Sequence, residues 1–196
     1  MRNFIIIIAI VFLNCSKKDC KNPVRETESI EISKVIIEFV RQNDTIHLDV
    51  PFSSTLKKFN ITDLQTTQKE VQPKIVTITA DPNREILVEK LLHAEIKGKQ
   101  FFKKSDSLNF IKQNCKAIFT LPKNILQSEK LIKLDIKKPN NPEYYEITFP
   151  IFSSDNKKAY IEIDTFTKEY CFGSSFYLEK IENKWKIIDQ QGTWDF

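Results

Sequence analysis

The chain has 196 residues, of which 41% are hydrophobic, and its 30 basic and 26 acidic residues leave a formal net charge of +4 at pH 7. This apolar content is sufficient for a hydrophobic core without additional covalent links. No run of like charge is long enough to form a nucleic-acid footprint, so we expect no nucleic-acid partner. A chain of this length fits one domain or two small modules.

The N-terminus has the three parts of an export signal. Arg2 supplies a positive charge, the segment Phe4–Leu13 is entirely apolar, and Asn14-Cys15 follows it. The apolar segment is too short to cross about 30 Å of hydrocarbon, which disfavours a transmembrane helix. The pattern therefore predicts a cleaved signal peptide over residues 1–14, with an uncleaved anchor or a buried first strand as the alternative.

The segment around Cys15 resembles the lipid-attachment site of bacterial lipoproteins, and Ser16-Lys17-Lys18-Asp19 is similar to the tether that follows the lipidated cysteine in lipoproteins of the Bacteroidota. The resemblance implies that Cys15 becomes an acylated N-terminus and anchors the protein in a membrane. It also implies a cell-envelope protein delivered to the outer membrane, on its periplasmic face or at the cell surface. The polar composition of residues 15–29 predicts a flexible tether.

Order is expected to begin near Ile30. Between Glu31 and Val50, β-branched residues flank a polar break at residues 41–44, so the pattern predicts an N-terminal β-hairpin. A helix over Ile32–Val40 is the alternative. Further along, Lys74–Thr79 has the alternation of another strand.

A globular domain is expected over residues 30–196, with ranges 30–80 and 83–196 as candidate sub-modules. Helical spacing predicts one short helix from Asn83 to about Glu95. A second helix is predicted after a Ser105-Asp106 cap. Its expected buried face carries Leu108, Ile111 and Cys115.

The C-terminal third is typical of an antiparallel sheet, because its apolar segments are short, alternate with polar residues and are separated by turn residues. Strands are predicted at Leu131–Ile136, Tyr144–Phe149, Ala159–Phe166, Phe176–Ile181 and Trp185–Ile188. The predicted fold class is thus α+β: an antiparallel β-meander packed against two or three short helices, with the additional N-terminal β-hairpin.

The last hairpin is the most fully specified element. Glu182-Asn183 predicts a two-residue turn, because asparagine tolerates the left-handed conformation that such turns require. Trp185 is expected to be buried against the helices. Counting outward from the turn predicts the cross-strand pairs Lys180–Trp185, Glu179–Lys186, Leu178–Ile187 and Tyr177–Ile188.

The C-terminal half carries a second resemblance. It is similar to the C-terminal half of a group of uncharacterised Bacteroidota proteins in the segments Phe149–Ser153, Ala159-Tyr160, Cys171–Gly173, Tyr177–Lys180 and Asn183–Lys186 and in Trp194. The resemblance implies a shared envelope domain. Because the group has no assigned chemistry, it implies no mechanism.

The cysteines leave a pairing question open. With Cys15 lipidated, Cys20, Cys115 and Cys171 remain, and Cys20 lies in the predicted tether. Cys115 and Cys171 are a candidate disulfide, with two separate buried thiols as the alternative. The sequence has no Cys-x-x-Cys or His-x-x-x-His spacing, so we expect neither a metal site nor a cofactor.

Catalytic residues are not assigned by any motif. Cys171 in Cys171–Ser175 is a candidate nucleophile, but it needs a base, and only His47 and His93 are available. A strand-connecting turn is the favoured interpretation of that segment. Acidic residues in the predicted strands are interpreted as solvent-facing, although a catalytic pair among them is the alternative: Asp155, Glu162, Asp164, Asp189 and Asp195.

Aromatic residues give the candidate binding surface. They cluster around the predicted meander, where they can stack on a sugar or a partner protein, and core packing is the alternative interpretation. The binding-surface candidates are Tyr145, Tyr160, Tyr170 and Trp194. The sequence therefore favours a non-enzymatic binding module that recognises an envelope protein or a glycan. A hydrolase using Cys171 or a carboxylate pair is the alternative.

Overall fold

A long amphipathic helix and a mixed β-sheet dominate the structure, which is a computed structural model. It describes residues 23–44, 49–63, 83–114, 119–125, 131–132 and 143–195. The first element, helix α1, spans Pro23–Asn43. Proline suits the first helical position because its missing N–H would have no intrahelical partner there.

Helix α1 forms because its buried residues recur at intervals of three and four. Side chains along one stripe are buried, and those on the other faces are exposed or half-buried. The stripe consists of Ser29, Ile32, Ser33, Ile36, Ile37 and Val40. Two predictions are therefore wrong: the N-terminal β-hairpin over Glu31 to Val50, and a flexible tether that continues to residue 29. The alternative helix over Ile32–Val40 is confirmed, because its spacing outweighs the strand preference of isoleucine and valine.

The remaining elements are short helices and strands. Helix α2 is Val88–Leu92 and helix α3 is Ser107–Ile111, the latter preceded by a 3₁₀ turn at Lys104–Asp106. The strands are β1 (Phe52–Ser53), β2 (Thr55–Leu56), β3 (Lys58–Thr62), β4 (Asn83–Leu87), β5 (Glu95–Ile96), β6 (Lys99–Gln100), β7 (Phe119–Thr120), β8 (Leu131–Ile132), β9 (Tyr144–Ile147), β10 (Ile151–Phe152), β11 (Lys158–Phe166), β12 (Cys171–Ile181) and β13 (Lys184–Asp195).

The largest sheet has the strand order β13-β12-β11-β9-β1-β8, and β10 also pairs with β11. Strands β9, β11, β12 and β13 are antiparallel, as predicted. Strand β1 instead lies between β8 and β9 and is parallel to both. The α+β fold class is confirmed, whereas the predicted all-antiparallel order is wrong at β8. Strand β1 belongs to the first candidate sub-module, over residues 30–80, and the other strands of this sheet belong to the second. The two candidate sub-modules therefore contribute strands to one sheet.

The terminal hairpin follows the predicted register near its turn. Glu182 and Asn183 have φ angles of 51° and 61°, the left-handed conformations of a two-residue turn. The first three predicted pairs are confirmed, and Trp185 is buried. The fourth is wrong: Tyr177 lies opposite Asp189, because the register shifts by one residue between Tyr177 and Leu178.

The two faces of the large sheet are covered by different elements. Helix α1 covers one face, and its contacts include an edge-on pair between Phe39 and Phe176 with ring centroids 5.5 Å apart. Near the start of the helix, Glu28 accepts hydrogen bonds from Trp185 Nε1 at 2.5 Å and from Lys180 Nζ at 2.6 Å. These contacts attach the first half of α1 to the terminal hairpin.

A second layer, consisting of β3, β4, α2 and α3, covers the opposite face. The helix predicted from Asn83 begins later, at Val88, because residues 83–87 pair with β3 as strand β4. In α3 the predicted buried face is wrong at Leu108, which is 67% exposed, while Phe110 is fully buried. Cys115 lies outside the described residues.

Candidate functional site

A pocket opens between the C-terminal end of α1 and the large sheet. Its volume is about 290 Å³. Five of its lining residues are aromatic and five are polar. The lining consists of Phe39, Val40, Asn43, Asp44, Tyr145, Ile163, Thr165, Tyr170, Phe172, Ser174, Phe176 and Gln190. Pockets of this kind, mostly apolar with a few convergent polar groups, are typical of small-molecule sites.

Strand register brings the sheet residues of the pocket onto one face. Thr165 of β11 lies opposite both Tyr145 of β9 and Phe172 of β12. Directly opposite residues point to the same side of a sheet, so these three side chains form one row. The next row contains Ile163 and Ser174, and Phe176 and Gln190 form a third pair.

The end of α1 is joined to the sheet by a tyrosine. The Tyr145 hydroxyl donates a hydrogen bond to Asp44 Oδ2 at 2.6 Å, and its ring stacks on Phe52 with centroids 4.7 Å apart. Burial, followed by the hydrogen bond to Asp44, raises the pKa of Tyr145 above its ordinary value. Arg41 donates to the Val50 carbonyl at 2.8 Å. These contacts hold the wall of the pocket that α1 contributes.

Three polar side chains of the pocket make no side-chain hydrogen bond with any described residue: Thr165, Ser174 and Gln190. Thr165 is only 2% exposed and Ser174 only 8% exposed. Buried polar groups in folded proteins are nearly always hydrogen-bonded. Neither hydroxyl oxygen is fully enclosed, so water or a bound molecule that enters the pocket can form hydrogen bonds with both.

The rim of the pocket carries an aromatic pair. The rings of Tyr170 and Phe172 stack with centroids 5.8 Å apart and an interplanar angle of 30°. Tyr170 is 38% exposed, so its ring is accessible beside the opening. The turn that places it is closed by Thr167, whose hydroxyl donates to the Tyr170 carbonyl at 2.8 Å.

A buried ionic cluster occupies the opposite face of the same strands. Glu162 and Asp164 of β11 are each only 2% exposed. Arg84 of β4 lies between them: its Nε is 2.5 Å from Glu162 Oε2, and its Nη1 donates to Asp164 Oδ1. Lys57 Nζ lies 3.1 Å from Glu146 Oε2 and 3.8 Å from Asp164 Oδ2. Both strand carboxylates are thus paired with cations inside the protein, although Glu162 Oε2 accepts no hydrogen bond from a described residue.

Burial changes the ionisation of this cluster. It raises the pKa of the Glu162 carboxyl, and Arg84 and Tyr160 oppose that shift without cancelling it. Burial lowers the pKa of Arg84, but Glu162 and Asp164 raise it by more. The Tyr160 hydroxyl donates to Glu162 Oε1, and burial raises its pKa well above the ordinary value.

The interpretation of Glu162 and Asp164 as solvent-facing is therefore wrong. They alternate with apolar residues as on a half-exposed strand, but β11 is covered on both faces. Arg84, which precedes β11 by about 80 residues, is the partner that makes their burial possible, and no local pattern links the two segments.

The predicted binding-surface residues have different positions. Tyr145 and Tyr170 line the pocket. Tyr160 is fully buried in the second-layer core, so its assignment to a binding surface is wrong. The Trp194 side chain lies outside the description, although its backbone pairs with Gly173. Sequence reasoning did not single out Thr165 and Ser174; their one signal is a polar residue at a core-facing position of an otherwise apolar strand face.

The predicted cysteine chemistry gains no geometric support. Cys171 begins β12 and its side chain is half-buried, and its segment is strand rather than the predicted connecting turn. The turn falls just before it, at residues 167–170. His93 is exposed at the end of α2, and His47 lies outside the described residues. Because Cys115 also lies outside them, its disulfide with Cys171 stays a prediction.

Within the part of the chain that the structure describes, no group of three or more histidine, cysteine or acidic residues is arranged to hold a metal ion. None of the described helices has the length and apolarity needed to cross a membrane. Comparisons with protein families, with curated proteins and with solved structures find no match to this chain.

Proposed function

We propose that this protein is a cell-envelope lipoprotein that binds a small ligand in the pocket beside α1 and has no catalytic activity of its own. The observation that carries this proposal is a cavity of about 290 Å³ with aromatic walls and two hydroxyls, of Thr165 and Ser174, that have no hydrogen-bond partner among the described residues. The volume lies at the lower end of the range for small-molecule pockets, about 300 to 1,000 Å³, which favours a ligand of one or two rings.

The membrane anchor is supported by the sequence at the N-terminus. A basic residue, a short apolar segment and Cys15 occur in the order that precedes lipid attachment. Helix α1 begins at Pro23, eight residues after Cys15. Eight extended residues span at most about 28 Å, so a lipid on Cys15 would hold the domain close to the membrane surface.

The hydrolase alternative has weaker support. A carboxylate pair acting as acid and base must face a substrate, but Glu162 and Asp164 are turned toward Arg84 and are almost inaccessible. Charged groups that are paired with one another inside the protein, as Arg84 is with Glu162 and Asp164, favour a structural role. The pocket lies on the other face of β11, and its described carboxylate, Asp44, accepts the Tyr145 hydroxyl.

Ligand binding can be tested with the detergent-extracted full-length protein in a thermal-shift panel. The panel contains neutral monosaccharides, choline, glucuronate and indole. At a ligand concentration of about one hundred times Kd, binding stabilises a fold by about 3 kcal/mol, so the Tm should rise by about 5 to 10 °C.

Pocket-filling variants provide the control for this panel. Ser174→Leu and Thr165→Leu are expected to remain folded by circular dichroism and to lose the response to the ligand. Ser175→Ala is the matched control, because Ser175 bonds to the Gln191 carbonyl on β13 and does not line the pocket. If no compound in the panel stabilises the wild type, the binding proposal is wrong.

Lipidation can be tested by mass spectrometry of the membrane fraction. The expected N-terminal residue is acylated Cys15, and Cys15→Ala should release the domain into the soluble fraction. An N-terminal peptide beginning at Met1, or a wild-type protein that is already soluble, contradicts the anchor.

A further inference from the structure

We infer that the ligand of the pocket is an uncharged sugar ring. The inference rests on the proposed function, because it names the chemical class that the pocket would bind. Three features of the pocket point to this class. They are its aromatic walls, its floor, which we define as the hydroxyls of Thr165 and Ser174, and the negative charge of Asp44.

The walls favour a ligand with a flat apolar face. Phe39, Phe172 and Phe176 line the cavity, and Tyr170 extends the aromatic surface to the rim. Aromatic rings have electron-rich faces that attract positively polarised hydrogens. A pyranose ring presents such C–H groups on its face and carries its hydroxyls around its edge. Stacking the sugar face on a ring therefore leaves its hydroxyls free to reach the floor.

The floor requires a partner that both donates and accepts hydrogen bonds. The hydroxyls of Thr165 and Ser174 can do both, and the amide of Gln190, an exposed residue of the pocket lining, adds donors and an acceptor. Sugar hydroxyls satisfy all of these groups without bringing a charge into the pocket. An entirely apolar ligand would displace water from the hydroxyls of Thr165 and Ser174 without replacing its hydrogen bonds, which disfavours its binding.

The charge of the lining disfavours ionic ligands. Among the described residues that line the pocket there is one carboxylate, Asp44, and neither lysine nor arginine. An anionic ligand would be repelled by the Asp44 carboxylate, and the described lining residues include no lysine or arginine that would offset this repulsion. An amine would be attracted to Asp44 and to the aromatic faces. However, an ammonium group only donates hydrogen bonds, so it cannot accept one from the floor.

The test measures binding to the detergent-extracted full-length protein by isothermal titration calorimetry. The neutral probes are glucose, galactose, mannose and N-acetylglucosamine, and the charged probes are glucosamine, glucuronate and choline. Indole serves as the apolar probe. We expect at least one neutral sugar to bind, and we expect its uronic acid or amino counterpart to bind at least about tenfold more weakly.

Variants locate the sugar on the floor. Thr165→Val and Ser174→Ala each remove one hydroxyl with little change of shape, and each should weaken sugar binding by about tenfold. Ser175→Ala removes a hydroxyl that lies outside the pocket, on the same strand as Ser174. The affinity of this variant for the sugar should therefore equal that of the wild type. Thermal denaturation of all three variants checks that they are folded.

Each contrary outcome has a distinct meaning. Binding of choline, glucosamine or indole without a neutral sugar would overturn the sugar inference and leave the pocket's binding function standing. A neutral sugar whose affinity is unchanged in Thr165→Val and Ser174→Ala would also overturn it, because the sugar would lie elsewhere. Binding of none of the probes would contradict the proposed function together with the inference.

Discussion

Polar residues on the two faces of strand β11 lie in different environments. On the second-layer face, Glu162 and Asp164 are buried against Arg84, and the Tyr160 hydroxyl completes the cluster. On the α1 face, Thr165 is equally buried, but its hydroxyl opens into a cavity and has no partner among the described residues. Polar groups that are paired by charge with one another inside the protein belong to the architecture. Polar groups that face a cavity identify the surface where a ligand is expected.

The largest loss of stability is expected from breaking the ionic cluster on the second-layer face of β11. Arg84→Met leaves Glu162 and Asp164 buried without their main counter-charge, so the free energy of unfolding should fall by about 3 to 5 kcal/mol. Urea denaturation measures this change. Lys186→Met is the control, because Lys186 is exposed and its loss should change stability by less than about 0.5 kcal/mol. Equal effects of the two substitutions would show that the cluster does not hold the second layer.

A matched pair of threonines tests the comparison directly. The Thr148 hydroxyl accepts a hydrogen bond from Glu162 N at 2.8 Å and donates to Glu162 O at 3.2 Å, whereas Thr165 has no such contact. Thr148→Val should cost about 1 to 3 kcal/mol, because it leaves a buried backbone group unpaired. Thr165→Val should cost nothing or raise the urea midpoint slightly. A loss at Thr165 as large as that at Thr148 would mean that the Thr165 hydroxyl is satisfied within the protein.

The smallest expected effect is a loss of folding stability at alkaline pH. Burial, with a smaller contribution from Glu162, raises the pKa of Tyr177 to about 12. Above pH 10 the unfolded phenol loses its proton while the folded one keeps it, so the folded state loses stability as pH rises toward 12. Tyr177→Phe removes this contribution, which should be about 1 to 2 kcal/mol at pH 12.

Denaturation of wild type and Tyr177→Phe at several pH values between 7 and 12 measures the difference. The two proteins should have similar stability at pH 7, because the Tyr177 hydroxyl makes no hydrogen bond with a described residue. Parallel stability curves up to pH 12 would contradict the raised pKa.

Sequence patterns predicted the parts of the fold that depend on neighbouring residues. The turn at Glu182-Asn183 and the register of the next three pairs follow from local conformational preference and alternation. The bulge between Leu178 and Tyr177 was not predicted, because counting outward from the turn assumes one residue opposite one residue along the whole hairpin. Helix α1 was assigned as strands, because its isoleucines and valines favour strands until a sheet is available to bury their helical stripe.

The candidate site was predicted only in part. Tyr145 and Tyr170 were identified from their aromatic character, and both line the pocket. Phe39 was missed because it lies on α1, whose helical conformation was not the favoured prediction. Thr165 and Ser174 were missed because a polar residue at a core-facing position of a strand does not show whether its hydroxyl lines a pocket or is hydrogen-bonded within the core.

The sequence by itself determined the elements whose stability is local, namely the terminal hairpin near its turn and the alternating strands. Tertiary structure decided which polar residues are buried and which of those have partners. Glu162 and Thr165 lie on opposite faces of one strand, and only the elements packed above each face make one a charge partner and the other part of a pocket wall. The physical reason is that burial and hydrogen-bond satisfaction depend on groups brought together from distant positions in the chain, such as Arg84 and the end of α1.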